Sequence, residues 1–202
     1  MTTADRFHVR SVEPRDGAGL ARLFAANGFG CYCRYWHFGG TAREWLARCA
    51  QNPEENEREM RGALAAGSDE MLGMVAETDA GEVVGWLKLA PATSLIKLYG
   101  QRLYKGLPAL EREPSGIHTV ACFLVREDFR RHGVARALLA GAIERAPRWG
   151  ARALEAFPRS DTDCSDAALM MGPLKLFVEA GFELVHDAAP YPVLRRVLSS
   201  TP

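Results

Sequence analysis

Cys122-Phe-Leu-Val-Arg-Glu-Asp-Phe-Arg130-Arg131-His132-Gly133-Val134-Ala135 is the stretch whose reading decides the fold. Its first residues extend a near-continuous apolar run over 117–125, the pattern of a strand buried on both faces. Its end is a tight, basic turn containing a glycine. Val134, Ala135, Leu138, Leu139, Ala142 and Ile143 then recur at helical spacing until Pro147, so the turn opens directly into an amphipathic helix. A helix start leaves backbone N–H groups unpaired at the positive end of the macrodipole, which suits an anion such as a phosphate. Arg126, Arg130, Arg131 and Arg136 crowd the same turn.

A further strand is expected over 151–157, which makes a strand–helix–strand unit and a locally parallel pair. After a polar loop carrying Asp161, Asp163, Cys164 and Asp166, a helix over 173–180 stops at Gly181, and strands over 182–186 and 193–198 follow. On the amino-terminal side, residues 7–12 alternate as a first strand. Asp16 stands as a helix N-cap before Leu20, Leu23 and Phe24. Thr41 and Glu44 have capping-box spacing before a second helix, and a charged helix spans 54–66. Strands over 71–77 and 82–89 join at Asp79-Ala80-Gly81 as a hairpin. The connection over 90–114 is too apolar for a plain linker and is expected to lie over another part of the molecule.

Arg130-x-x-Gly133-x-Ala135 resembles the acetyl-CoA signature of the GNAT acyltransferase superfamily, Q/R-x-x-G-x-G/A. The order of strand, turn, helix and strand around it matches too, as does the Leu-Phe-Val-Glu-Ala-Gly181-Phe182 run. Cys31-Tyr32-Cys33-Arg34-Tyr35-Trp36, with Gly85-Trp86, is similar to a bacterial GNAT group bearing a C-W-C-x-Y-W motif. The resemblance spans about residues 6 to 198. It implies a single mixed α/β domain over 1–202: a twisted, mostly antiparallel sheet of six or seven strands flanked by helices. It also implies an acetyl-CoA-dependent N-acetyltransferase acting on a primary amine of a small molecule or a protein.

By that resemblance Phe123, Leu124 and Val125 run beside the pantetheine arm, pairing with it as an added strand would. Arg130, Arg131, His132, Gly133, Val134, Ala135 and Arg136 hold the pyrophosphate, with Gly133 allowing the backbone to come close. Two familiar catalytic slots hold other residues: the late-helix Tyr position is Phe177 and the central-strand Glu position is Thr119. Those two departures motivate an alternative, a non-catalytic acyl-CoA-binding or sensing protein.

Acyl transfer needs a neutral amine, a polarised carbonyl and a protonated leaving thiolate. Glu155, near the end of a parallel strand, and His118, beside Thr119, are the catalytic candidates, each weighed against an ordinary structural role. Cys31, Tyr32, Cys33, Trp36 and Tyr104 are candidates for the acceptor-pocket wall, weighed against plain packing. Cys31, Cys33 and His37 supply at most three metal ligands with no second cluster, so no metal is expected.

The whole chain carries 25 basic and 25 acidic residues, and that balance argues against nucleic-acid or anionic-membrane partners. The 48% hydrophobic content is that of an ordinary globular protein with a full core. The amino-terminal residues lack an apolar signal core and the five cysteines are sparse, so a reduced, cytoplasmic protein is expected. A homodimer is compatible with these features.

Overall fold

In the computed structural model, residues 6–110, 114–160, 170–187 and 189–198 are described. The expected Asp161, Asp163, Cys164 and Asp166 loop lies outside them.

The elements in chain order are β1 (Phe7–Ser11), α1 (Gly17–Ala26), α2 (Ala42–Gln51), α3 (Pro53–Ala65), β2 (Gly73–Thr78) and β3 (Val83–Pro91). Then come α4 (Ile96–Tyr99), β4 (Ile117–Val125), α5 (Val134–Arg145), β5 (Ala153–Ala156), α6 (Leu174–Glu179), β6 (Glu183–His186) and β7 (Val193–Val197). The strands form one seven-stranded sheet in the order β1-β2-β3-β4-β5-β7-β6. Every neighbouring pair is antiparallel except β4 and β5. This is the mixed, mostly antiparallel sheet expected of the sequence.

Local chemistry explains where α2 begins. Thr41 Oγ1 accepts the Glu44 N–H, and Glu44 Oε2 accepts the Thr41 N–H at 2.7 Å, the reciprocal capping box expected at the start of α2. At α1 the outcome differs. The Asp16 carboxylate makes no cap to the helix; it takes Arg10 Nη2 at 2.6 Å and the Glu13 N–H at 2.8 Å. A buried carboxylate gains more from a guanidinium than from one helix amide, so the ion pair wins.

Alternating side chains give the sheet two dressed faces. On one face α5 packs against β1, β2 and β3, burying Val134, Leu138, Leu139 and Ala142 with Met74, Ala76 and Leu87. Each large aliphatic group buried there contributes roughly 1.5–3 kcal/mol. Gly85 permits this approach, because a Cβ there would lie 2.7 Å from Val134 Cγ1. The other face carries α1 and α3 over Val75, Trp86, Cys122 and Leu124. Beyond them, the segment around α4 covers Ala90, Ala121, Phe157 and Val193. Ala90, Leu95, Leu98 and Tyr104 of the apolar connection expected over 90–114 are therefore buried in the core.

Two irregularities in β4 matter for function. Lys88 pairs with Cys122 and Leu89 with Val120, which leaves Ala121 as a bulge. Its carbonyl accepts Trp36 Nε1 at 3.3 Å. Secondly, β4 and β5 pair only from Ile117–Ala153 to Val120–Ala156, whereas β4 continues to Val125. Past Val120 the two strands part.

Candidate active site

Where β4 and β5 part, a cleft of about 610 Å³ opens beside the β4–α5 turn. Phe123, Leu124 and Val125 form one wall, and Arg130, Arg131, Gly133, Val134, Ala135 and Arg136 form the head. Nine of the ten donor-site residues expected from the sequence thus line one cleft; His132 is exposed and stands outside its lining. Met170, Gly172 and α6 close the opposite side.

The turn has the conformation an anion site needs. Arg131 and Gly133 both take left-handed backbone angles, φ +64° and +83°, which curl the chain so that successive N–H groups face one concavity. Ala137 N–H is the first to find an intrahelical partner, the Gly133 carbonyl at 3.0 Å. The amides of Val134, Ala135 and Arg136 precede it at the positive helix end. Arg130 braces the cleft: Nη2 donates to Asn27 Oδ1 at 2.9 Å and Nε to the Val125 carbonyl at 3.2 Å. Arg136 reaches across the mouth to Glu179 at 2.7 Å. These donors and charges fit a pyrophosphate.

Within the cleft, the Phe123 N–H donates to the Met170 carbonyl at 2.7 Å. One edge amide of β4 is therefore occupied in this conformation. Phe177 is fully buried, edge-on to Phe123 and Phe182, and offers no proton.

Neither catalytic candidate lines this cleft. His118 is 5% exposed, and no described residue bonds its Nδ1; burial pushes its pKa down, so the ring is neutral. Glu155 is 1% exposed and lines a second, separate cavity of about 370 Å³. There it binds Tyr99 and Arg195.

The acceptor-wall candidates line neither cavity. Tyr32 stacks on Phe24, and Cys33 is buried beneath it, both with positive φ. Tyr104 packs edge-on to Phe157. Trp36 holds the Ala121 bulge, and Cys31 is partly buried against the α1–α3 core. Together they are the packed underside of β3 and β4.

Sequence reading missed the centre of that underside, Lys88. Its side chain is fully buried, with Nζ 2.8 Å from both the Cys33 carbonyl and His37 Nε2. Burial pushes Lys88 down to about 8, countered in part by Cys33. Burial, then Lys88, holds His37 down to about 3. Burial raises the Cys33 thiol, but hydrogen bonding to Cys122 and the nearby Lys88 outweigh it, so the net shift is downward. A lysine among apolar strand residues carries no local signal for its partners, which lie more than fifty residues away. Among the described residues, no group of three or more His, Cys, Asp or Glu could hold a metal ion.

A mixed seven-stranded sheet whose β4 and β5 part beside a glycine turn defines the architectural class. The model of the acetyltransferase (GNAT) family matches residues 40–169, and the chain belongs to that family. No curated protein matches the chain in sequence. Among solved structures it is similar to a GCN5-related N-acetyltransferase from Kribbella flavida, with 21% identity over 95% of this chain and 98% of that one and a TM-score of 0.56. A GNAT family acetyltransferase from Streptococcus pneumoniae shares 16% identity over 96% and 100%, TM-score 0.55. A GNAT family N-acetyltransferase from Escherichia coli, in complex with CoA, shares 17% over 96% and 82%, TM-score 0.55. At these identities the likeness is one of fold.

Proposed function

We propose that the protein transfers an acetyl group from acetyl-CoA to a primary amine. The observation that carries this reading is the cleft at the parting of β4 and β5, headed by the Gly133 turn and its arginines. In this reading the amides of Val134, Ala135 and Arg136 and the Arg131 side chain hold the pyrophosphate. The pantetheine arm runs along Phe123–Val125, exchanging the Met170 contact on Phe123 for its own. The Cys-Tyr-Cys-x-Tyr-Trp segment supports placing the chain in the corresponding bacterial group. Four cysteines in the described residues are free, which supports a cytoplasmic setting.

Calorimetry with acetyl-CoA and CoA-release assays over a panel of small amines and a lysine peptide test the reading. Binding with turnover of at least one amine is expected; neither binding nor turnover overturns it. The buried Phe177 favours a second reading, an acyl-CoA sensor without catalysis. Binding with no release to any acceptor selects that one.

A further inference from the structure

Leu154 and Ala156 face α5, so by alternation Glu155 faces the opposite side of the sheet, under α4. The second cavity lies there. Its walls are apolar, with Ile96, Leu110, Pro114 and Ile117, and its floor is charged. Glu155 Oε1 takes Arg195 Nε at 2.9 Å and also Nη2, and Arg195 Nη2 donates to the Ala109 carbonyl at 2.7 Å. Tyr99 donates its hydroxyl proton to Glu155 Oε2 at 2.6 Å. The Tyr99 oxygen also lies 2.7 Å from Thr119 Oγ1. Because the Tyr99 proton is committed to the carboxylate, Thr119 is the donor of that second bond.

Three oxygens thus form a line from β4 to β5, starting two residues before the Ala121 bulge. The central-strand position that holds no carboxylate is wired through Tyr99 to a carboxylate on the next strand. Burying an ion pair is costly, and well-packed apolar residues would fill the same space at least as stably. Stability alone does not explain a charged floor beneath an apolar cavity.

We propose that this cavity receives the acceptor, a small primary amine with an apolar body, and that Glu155 takes the proton its nitrogen sheds through the Tyr99 hydroxyl. This rests on the acetyl-transfer reading above and names its substrate class. The volume is at the small end of ligand pockets, roughly 300–1,000 Å³, which favours a small molecule over a polypeptide segment. The apolar walls match an apolar body. Arg195 already neutralises Glu155, so the floor suits an uncharged amine, the form that can attack. From Val125 to Thr119, β4 spans roughly 20 Å at its usual rise, on the order of an extended pantetheine arm.

The amine nitrogen forms a bond to the thioester carbon, and the C–S pair leaves with sulfur as the CoA thiolate. The nitrogen loses one proton, and Glu155 Oε2 gains one. Tyr99 passes its own proton to Glu155 as it accepts the one from the amine. Burial, and then the Glu155 carboxylate, raise the Tyr99 pKa well above its ordinary value, so the phenol conducts the proton without becoming an anion.

Benzylamine, hexylamine and a lysine peptide are the probes, with acetyl-CoA as donor. Wild type is expected to acetylate benzylamine or hexylamine and not the peptide. Thr93→Trp, at the exposed mouth, is expected to raise the amine KM and calorimetric Kd about tenfold or more with the acetyl-CoA Kd unchanged. Tyr99→Phe and Glu155→Gln are expected to lower kcat about tenfold or more while amine Kd stays within about twofold. Tyr99→Phe keeps the ion pair, so it decides the matter if Glu155→Gln fails to fold. Unaltered amine binding in Thr93→Trp, wild-type kcat in Tyr99→Phe, or CoA release only to the peptide overturns the proposal. Loss of acetyl-CoA binding by wild type overturns the acetyl-transfer reading itself.

Discussion

At the scale of the residue, Lys88 departs furthest from what its position predicts. A fully buried ammonium is costly unless its hydrogen bonds compensate, and here it has a carbonyl and an imidazole. Its native pKa, near 8, lies below the ordinary 10.5. Between those values the unfolded chain holds a proton that the native state lacks. Stability from this site therefore rises with pH through that window and is flat on either side. A depression of this size corresponds to about 3 kcal/mol. Lys88→Met keeps the length and removes the titration. Urea denaturation is expected to show wild type gaining about 2–3 kcal/mol on Lys88→Met between pH 7.5 and 10.5. A pH-independent difference would mean that Lys88 is not held down. On the acid side the sign is the same: His37 stays neutral to about 3, so stability falls as pH drops below 6.5.

At the scale of the element, the β4–α5 unit was legible because its signals are local. An apolar run, a glycine turn and a helical stripe sit within thirty residues, and each needs only its neighbours to be understood. The four-residue α4 was not legible, since one turn is too short to show a period. Nor was the Tyr99–Glu155–Arg195 floor, whose members lie 56 and 40 residues apart and meet only through the β5–β7 pairing and the packing of α4 over the sheet. Glu155 was found by its place on β5; Tyr99 and Arg195 had no signal but the fold. The turn itself yields a controlled test. A Cβ on Gly133 meets nothing within 4 Å, so the main cost of Gly133→Val in the free protein is its φ of +83°, about 1–2 kcal/mol. Gly150 has a φ of +80° and equally open surroundings outside the cleft lining. Both variants should lose similar stability in thermal melts. Only Gly133→Val is expected to raise the acetyl-CoA Kd about tenfold or more, because its side chain takes the space the phosphates need. Equal Kd values would place the phosphates elsewhere.

At the scale of the whole molecule, the two cavities divide the sheet by charge. The formal net charge is zero, yet seven arginines against three acidic residues fall between Arg126 and Arg152. The rest of the chain is correspondingly acidic, and three of those seven arginines, Arg130, Arg131 and Arg136, line the β4–α5 cleft. The second cavity has a floor of one carboxylate and one guanidinium, without net charge. Salt should therefore act on the two ligands differently. Between 50 and 500 mM ionic strength the screening length shrinks from roughly 14 to 4 Å, and attraction between the arginine turn and a polyanion weakens. The acetyl-CoA Kd is expected to rise several-fold over that range, while benzylamine binding to CoA-loaded protein at high pH changes little. Arg131→Ala should flatten the acetyl-CoA slope most, since its side chain is exposed at the cleft head. Arg136→Ala should flatten it less, because that guanidinium is already paired with Glu179. Equal salt slopes for both ligands would mean that these arginines do not guide the donor, and that the cleft binds acetyl-CoA through its amides and apolar wall alone.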